Sequence, residues 1–380
     1  MKILHTSDLH LGKRLFSRSR LAEQSEVLEE IVAIVKEKAV DIVLIAGDIF
    51  DTPVPPSEAE ELFYSFLLAL SKHALPVVIA GNHDDATRLR APYGIAKASG
   101  IILTGDEDLK SFNFTSSRGE KVTGGEGYLK IEKGGETLNL AILNYPSSAK
   151  LIDLAGGEDY ATTVSTLAKK NCECFREGEI NIFMSHLFVV GGKEEGELGG
   201  SKLVPTALLD IPLCDYIALG HIHGYAKMSK DKNIYYCGAP LFYSFDDDAK
   251  NAKRVLIFDT TEGKKEVYPV FLKSGKTLSK VTVSTEEEAE AELNKREGEL
   301  VWLTYDGNAP LSFRAVANFK KKPCYCGINI LTEKREVATE RRGKSDEELF
   351  TLFYESKRQG KKPTADMIDM FVKAVSGEDF

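Results

Sequence analysis

Ile42-Val43-Leu44-Ile45-Ala46-Gly47-Asp48-Ile49-Phe50-Asp51 decides the fold. Five apolar residues in a row, three of them β-branched, predict a short strand in a covered sheet; Gly47 permits a tight exit, and Asp48 follows just beyond the strand end. Upstream, Ile3-Leu4 begins a first strand that runs toward Asp8-Leu9-His10; downstream, Val77 to Ala80 predicts a third strand running into Gly81-Asn82-His83-Asp84. Between them, Leu21 to Lys38 carries Leu28, Ile31, Val32 and Val35 at helical spacing, and Ser57 to Lys72 carries Leu62, Phe63, Phe66, Leu67 and Leu70. Strand alternating with helix is the pattern of a sheet with helices packed on it.

Further strands are expected at Leu138 to Leu143, Ile180 to Met184, Tyr216 to Leu219, Ile234 to Cys237, Val255 to Phe258 and Val267 to Phe271. Near Lys273-Ser274-Gly275-Lys276 the character changes. A strand at Lys280 to Val283, an acidic helix from Thr285 to Arg296 and a strand at Leu300 to Tyr305 predict a small α+β domain. Two amphipathic helices follow, one starting at Ser345-Asp346-Glu347-Glu348 with Leu349, Leu352 and Phe353 on one face, the other from Thr364 with Met367, Ile368, Phe371, Val372 and Val375. They either pack on the body or form a partner-binding hairpin. Gly191 to Gly200 is the one flexible-looking internal loop, placed where a lid or clamp could sit.

The chain has 380 residues, enough for one large domain with smaller additions. It shows neither a leader pattern nor a run of 18 apolar residues, so a soluble, cytoplasmic protein is expected. Six cysteines are too few for a disulfide scaffold. The Cys172/Cys174 and Cys324/Cys326 pairs lack a partner at zinc-finger spacing, which makes free thiols the expectation over structural zinc. The formal charge of −9 argues against generic coating of nucleic acid, whose phosphates need Lys and Arg. The most basic stretch, Lys320 to Lys344, holds Lys320, Lys321, Lys322, Lys334, Arg335, Arg341, Arg342 and Lys344 against Glu333, Glu336 and Glu340. It is either a solvated face or a local basic surface.

Five clusters carry chemistry: Asp8-Leu9-His10, Gly47-Asp48, Gly81-Asn82-His83-Asp84, Ser185-His186 and Gly220-His221-Ile222-His223. Five of the seven histidines fall in them. Histidine with carboxylate suits manganese, iron or zinc, whereas a magnesium-only site would use mostly oxygen. Asp8 and His10 are spaced so that they can share one metal, and His221 and His223 have the same spacing. Asp48 can bridge two cations through its two oxygens, and two metals about 3.5–4 Å apart can activate a nucleophile and neutralise both oxygens of an in-line displacement at phosphorus. Asn82 adds a neutral oxygen, leaving positive charge for a phosphate. Each cluster alone is weak, because a single buried histidine is usually a hydrogen-bonded core residue. All five, each at a strand end and in one order, are not explained by core packing. His5 and His73 lie outside the set and are expected to be a core residue and a helix-end surface residue.

In these motifs the chain resembles the calcineurin-like metallophosphoesterases, whose series Asp-x-His, Gly-Asp, Gly-Asn-His-Asp, lone His and Gly-His-x-His is matched in full. Within that family it is most similar to the SbcCD-type branch and its meiotic-recombination-type relatives, through His5 to Gly12, Gly47 to Asp51 and Gly238-Ala239-Pro240-Leu241-Phe242-Tyr243-Ser244-Phe245. The likeness is firm over residues 1–260 and thereafter rests on layout. It implies Asp8, His10, Asp48 and His223 at one metal and Asp48, Asn82, His186 and His221 at the other, with manganese the expected ion and magnesium, iron or zinc as alternatives. His83 would stay off the metals and stabilise the transition state or protonate the leaving oxygen, with Asp84 as its orienting neighbour. At Asp51, where some archaeal and eukaryotic relatives carry a second histidine, no role transfers.

The same resemblance implies an α/β (α+β) architecture, a two-sheet β-sandwich flanked by helices, over residues 1–275. A small α+β capping domain at 276–343 would touch DNA, and C-terminal helices at 344–380 would bind a coiled-coil ATPase subunit. The expected activity is a double-strand-break nuclease: an ATP-stimulated exonuclease on double-stranded DNA ends and an endonuclease on single strands and hairpins. A homodimer is implied, formed through helices such as the one carrying Phe63, Tyr64 and Phe66, although core packing explains those rings equally well. The chain has no Gly-x-x-x-x-Gly-Lys-Ser/Thr motif, so ATP dependence must come from the partner. The competing readings are a nucleotide or phosphoprotein hydrolase with the same metals, and a catalytically silent DNA-end-binding scaffold.

Overall fold

The computed structural model describes residues 1–16, 18–105, 109–147, 151, 159–191, 197–198, 201–245, 252–331, 345–357 and 362–376. β1 (Lys2–Thr6) is followed by a short hairpin of β2 (Arg14–Leu15) and β3 (Arg18–Ser19). α1 (Leu21–Glu37), β4 (Ile42–Ala46), α2 (Ser57–Ser71) and β5 (Leu75–Ile79) then complete the expected alternation. α3 (Ala86–Arg90) and α4 (Tyr93–Ala98) lead into β6 (Ile102–Leu103).

A second set begins with the meander β7 (Asn113–Thr115), β8 (Lys121–Gly124), β9 (Tyr128–Lys133) and β10 (Glu136–Leu143). It continues through α5 (Tyr160–Asn171), β11 (Ile180–His186), β12 (Phe188–Val190), β13 (Glu197–Leu198) and β14 (Ser201–Pro205). β15 (Tyr216–Gly220), β16 (Ala226–Lys227) and β17 (Ile234–Tyr236) close that set, and β18 (Arg254–Asp259) and β19 (Glu266–Phe271) return to the first sheet. The strand orders are β19-β18-β1-β4-β5-β6 and β16-β17-β15-β11-β10-β9-β8-β7.

The two sheets share one core. Ile3, Leu44, Val77 and Ile79 from the first meet Leu140, Ile182, Met184 and Ala218 from the second. The opposite face of the first sheet, with Leu4, Val43, Ile45 and Val78, is covered by Leu28, Ile31, Phe63, Phe66 and Leu67 of α1 and α2. Phe63 and Phe66 are therefore core residues. On the second sheet, Phe183, Ile217 and Leu219 pack under Val164 and Ala168 of α5. The expected sandwich flanked by helices is the observed one, and apolar burial, about 1.5–3 kcal/mol for each large side chain, holds its layers together.

β1, β4, β5 and β6 run parallel, as do β10, β11, β15 and β17. Their carboxyl ends therefore gather at one edge of the sandwich. β11 and β15 run on past the carboxyl ends expected from the sequence, to His186 and Gly220, because the parallel register pairs Ser185 with Leu219 and His186 with Gly220. His186 is thus a strand residue, fixed by its neighbour's backbone.

Beyond Gly275, β20 (Leu278–Val283), α6 (Glu286–Lys295), β21 (Leu300–Tyr305), α7 (Phe313–Phe319) and β22 (Tyr325–Ile330) form a parallel three-stranded sheet with its own core around Leu293, Val301, Leu303 and Phe319. Sequence periodicity showed the first three of these elements. α7 and β22 escaped it because Lys320 to Lys322 read as the start of a charged surface. Of the basic stretch, Lys334, Arg335, Arg341, Arg342 and Lys344 fall outside the described residues, as does most of the Gly191 to Gly200 loop. α8 (Asp346–Lys357) and α9 (Ala365–Ser376) pack on each other through stacked Phe350 and Phe371 rings 4.4 Å apart. Among the described residues no helix is long and apolar enough to cross a membrane.

Candidate metal centre

The sandwich edge collects the chemistry-bearing residues. Asp8 and His10 follow β1, Asp48 follows β4, Asn82, His83 and Asp84 follow β5, His186 ends β11, and His221 and His223 follow β15. Eight non-glycine residues among those described have positive φ, and four of them are Asp8 (55°), His10 (42°), Asp48 (50°) and His221 (108°). Such conformations cost about 1–3 kcal/mol each and persist only where the surroundings enforce them. Here the loops after β1 and β4 are zipped together by backbone hydrogen bonds from Asp8 to Gly47 (3.0 Å), His10 to Asp48 (3.0 Å) and Leu11 to Ile49 (2.8 Å).

Two glycines explain why the edges can close. Gly47 has φ of +85°, and a Cβ there would lie 2.5 Å from His186 Nδ1. A Cβ on Gly220 would lie 1.8 Å from the Ala46 carbonyl oxygen, so this is where the two sheets approach backbone to backbone.

Asp48 stands in the middle. Its Oδ2 lies 3.6 Å from His10 Nε2, and its Oδ1 lies 3.4 Å from His186 Nε2. On the first side His10 Nε2 and His223 Nε2 are 3.0 Å apart. On the other, Asn82 Oδ1 lies 3.0 Å from His186 Nε2 and 2.9 Å from His221 Nδ1. Asp8 accepts the His221 backbone N–H at 3.0 Å and groups with both His10/His223 and Asp48/His186 within 4.8 Å. A cation with bonds of about 2.1 Å holds adjacent ligand atoms about 3.0 Å apart at right angles and about 3.4 Å apart at the tetrahedral angle. The donor separations match that spacing in two half-sites sharing Asp48. The residues present therefore fit a pair of divalent ions, and among the described residues every candidate ion-binding group lies here.

Electrostatics agree. Burial would raise the Asp48 carboxyl, but His186 and His10 beside it hold it well below the usual carboxylate range. Burial pushes Asp8 up to about 6 against the pull of His186. Burial lowers His221 to about 4 and His223 to about 3, keeping both imidazoles neutral and able to donate a lone pair. His186 is raised to about 9, because Asp48 and Asp8 outweigh its burial.

His83 behaves differently. Its Nδ1 is 2.9 Å from the Asp51 backbone oxygen, which can only accept, so Nδ1 carries the hydrogen, and the residue groups with His10 and Asp48 as a third candidate set. The His83 ring stands edge-on to His10 at 4.9 Å, and its backbone N–H donates to Asp48 Oδ1 at 2.9 Å. The expectation that Asp84 orients His83 needs correction. Asp84 instead accepts the backbone N–H groups of Gly81 (2.8 Å), Ile49 (3.1 Å) and Phe50 (2.9 Å), pinning the loop after β5 to the loop after β4. A buried carboxylate satisfies those three donors before any side chain can claim it.

Sequence reasoning missed the supports. The Asp51 carboxylate lies 3.5 Å from His10 Nδ1 and 2.6 Å from Lys13, placing a carboxylate behind a ligand histidine. Gln24 donates to the His10 carbonyl at 2.7 Å, Tyr243 donates to the Leu9 carbonyl, and Ser7 donates to Asp8. Asp51 stood in the deciding stretch, but its partner Lys13 carried no motif. His5 is a core residue as expected, 1% exposed and 2.8 Å from the Tyr216 hydroxyl, while His73 lies just past α2 and is partly exposed.

The calcineurin-like phosphoesterase family matches residues 1–225, the segment that carries every candidate ligand together with His83 and Asp84. The chain belongs to that family. A phosphoesterase of this kind is a metal-dependent hydrolase of phosphate esters. Along its whole length the chain is 32% identical to the D subunit of the nuclease SbcCD from Bacillus subtilis (strain 168), covering 99% of this chain and 98% of that protein. Two solved structures align more loosely. TT1561 of Thermus thermophilus is 14% identical over 70% of this chain and 98% of its own, with a TM-score of 0.40. GAP50 of Plasmodium is 13% identical over 73% of this chain and 91% of its own, also at 0.40.

Proposed function

We propose that this phosphoesterase is a DNA nuclease, the nuclease subunit of an SbcCD-type complex working in the cytoplasm on double-strand breaks. Its substrates are double-stranded DNA ends, cut exonucleolytically with ATP stimulation, and single strands and hairpins, cut endonucleolytically. The single observation that carries the reading is the shared Asp48 centre, with His83 standing beside the two half-sites. The end-to-end likeness to a nuclease component of known name supports the substrate.

Asp8, His10, Asp48 and His223 hold one ion, and Asp48, Asn82, His186 and His221 hold the other. Manganese is the ion the mixed nitrogen and oxygen set favours. A bound pair of divalent cations supplies charge neutralisation at the phosphate and a nucleophile at neutral pH. The chain's own residues do the rest. Asp48 fixes the separation of the half-sites. Asn82 holds a ligand position without adding negative charge that would repel the phosphate. His83, tied at Nδ1 to the Asp51 carbonyl, presents Nε2 to the leaving oxygen and, in the imidazolium form with both ring nitrogens protonated, gives it the Nε2 proton and returns to the neutral ring. Lys13, Arg14 and Arg18, on and beside the β2–β3 hairpin, supply local positive charge that the overall −9 does not.

Residues 276–343 act as the DNA-contacting cap. Residues 344–380 dock on a coiled-coil ATPase subunit, which brings the nucleotide motif this chain lacks. Two copies form a homodimer around paired DNA ends.

The test is cleavage of a labelled DNA hairpin in manganese by wild type and by His83→Gln, with bound metal measured on both. Expected are cleavage by wild type and a variant that keeps both ions while losing about 10²–10⁴-fold in rate. Turnover of a small phosphodiester without action on DNA, even with the ATPase partner present, would overturn the DNA reading in favour of a nucleotide or phosphoprotein substrate.

A further inference from the structure

The segment Leu241–Phe245 touches both the metal centre and the three-stranded sheet, and alternates between them. Leu241 (1% exposed) and Tyr243 (5%) belong to the core beneath the metal loops, whereas Phe242 (8%) packs with Leu15, Leu278 and Leu300, at the base of β20 and β21.

On the metal side, Tyr243 contacts one half-site. Its ring lies 5.5 Å from His10 and 6.0 Å from His223, and its hydroxyl donates to the Leu9 carbonyl, between Asp8 and His10. Gln24 shares the load, lying 3.2 Å from that hydroxyl and 2.7 Å from the His10 carbonyl. Lys253 adds a second link: it donates to the His223 carbonyl at 3.1 Å while standing 4.5 Å over the Phe242 ring.

Arg20 clamps the segment itself. It is only 1% exposed, donates to the Phe242 carbonyl, lies 5.8 Å over the Tyr243 ring and pairs with Glu23 at 2.7 Å. On the far side, Phe245 lies 6.0 Å from Trp302 of β21, and Phe16 of the hairpin turn stacks on Trp302 at 4.1 Å. Arg18 of the same hairpin donates to the Pro323 carbonyl.

We propose that Leu241–Phe245 is a positioning strap through which the seating of the β20–β21–β22 sheet sets the His10/His223 half of the centre more directly than the Asn82/His186/His221 half. The proposal rests on the two-ion reading of the centre. Tyr243, Phe245 and Trp302 are positioning residues: they act on ligand loops and touch no substrate. A shift of the small sheet drags Phe242 and Phe245, tilts Tyr243, and moves the carbonyls that set the backbone of Asp8, Leu9 and His10.

The test is manganese titration of the full chain by calorimetry and equilibrium dialysis, with melting of the metal-free proteins as a check on folding. Wild type should bind two ions in two steps. Tyr243→Phe, at the centre, and Trp302→Leu, remote from it, should each weaken one step, the same one, by about 10-fold and the other by less. The double variant should weaken that step no further than the stronger single variant, since both cut one connection. Trp302→Phe, which restores a stacked ring, should restore wild-type binding. If Trp302→Leu does not fold, Phe16→Ala, which removes the exposed outer ring of the stack, carries the same expectation. An unchanged titration in the remote variant, equal weakening of both steps, or additive losses would overturn the strap while leaving two ions in place. Wild type binding fewer than two ions would instead overturn the two-ion reading on which it rests.

Discussion

Replacing Gly220 by alanine tests whether the close meeting of the two sheets sets the metal centre. The new Cβ would sit 1.8 Å from the Ala46 carbonyl oxygen and 2.7 Å from His186 Nδ1. Real Cβ atoms essentially never come within 3.0 Å of such neighbours, so β4 and β15 must part by about 1.2 Å in a core packed as densely as a crystal. The Ala46 oxygen is the group that accepts the His186 Nδ1–H at 2.8 Å, and it cannot move that far and keep the bond. Overpacking costs about 1–3 kcal/mol and the lost hydrogen bond about 1 kcal/mol more. Melting should fall by several degrees. Metal affinity should fall further, by about 10–100-fold, because His186 loses the partner that fixes its ring. The assay is manganese binding by dialysis alongside thermal melting, with Gly298→Ala, which meets no atom within 4 Å, as the control. A Gly220→Ala protein that melts lower yet binds both ions with wild-type affinity would refute the link between sheet approach and His186 orientation.

Metal loading should depend on pH with a definite sign. His186 is raised to about 9 in the metal-free chain, so at neutral pH an incoming ion must displace its proton, and loading should release about one proton at pH 7.5. That raised imidazolium stabilises the metal-free fold fully below about 6.5, and the contribution fades as pH rises through about 9. Stabilisation by added manganese should therefore grow between those limits and weaken below about 6, where Asp8 takes up a proton. A melting-temperature gain from manganese that is flat from pH 6 to 9 would contradict this. Asp84→Asn should lose at least one of three backbone hydrogen bonds to a charged acceptor, about 1.5–3 kcal/mol, and lower the melting temperature. Its residual cleavage should keep the wild-type pH profile, since Asp84 does not touch the His83 ring; a shifted profile would return Asp84 to a catalytic role.

The candidate ligands were legible in the sequence because each is a histidine, carboxylate or amide at or just past a strand end. Apolar-rich segments marked β1, β4, β5, β11 and β15, and the polar residues at or just past their ends had no core packing to explain them. α7 and β22 were not legible, since charged residues between them mask a short helix and a half-buried strand. The meander of β8 and β9 offered only the alternation Leu129, Ile131 on one face, a weaker signal than a continuous run.

By itself the sequence determined which residues converge, because strand direction and side-chain type are local properties: a buried apolar run followed by glycine and a carboxylate forms the same strand and turn wherever it sits. Tertiary structure alone decided how they are held. It put one oxygen of Asp48 toward His10 and the other toward His186, tied His83 to the backbone of Asp51, turned Asp84 from His83 to three amide groups, and ran Leu241–Phe245 between the metal loops and the small three-stranded sheet. Those partners are backbone atoms, which every residue carries alike, or side chains far away in the chain. Only the packing of the two sheets, driven by apolar burial that has no direction of its own, brings them within hydrogen-bonding distance.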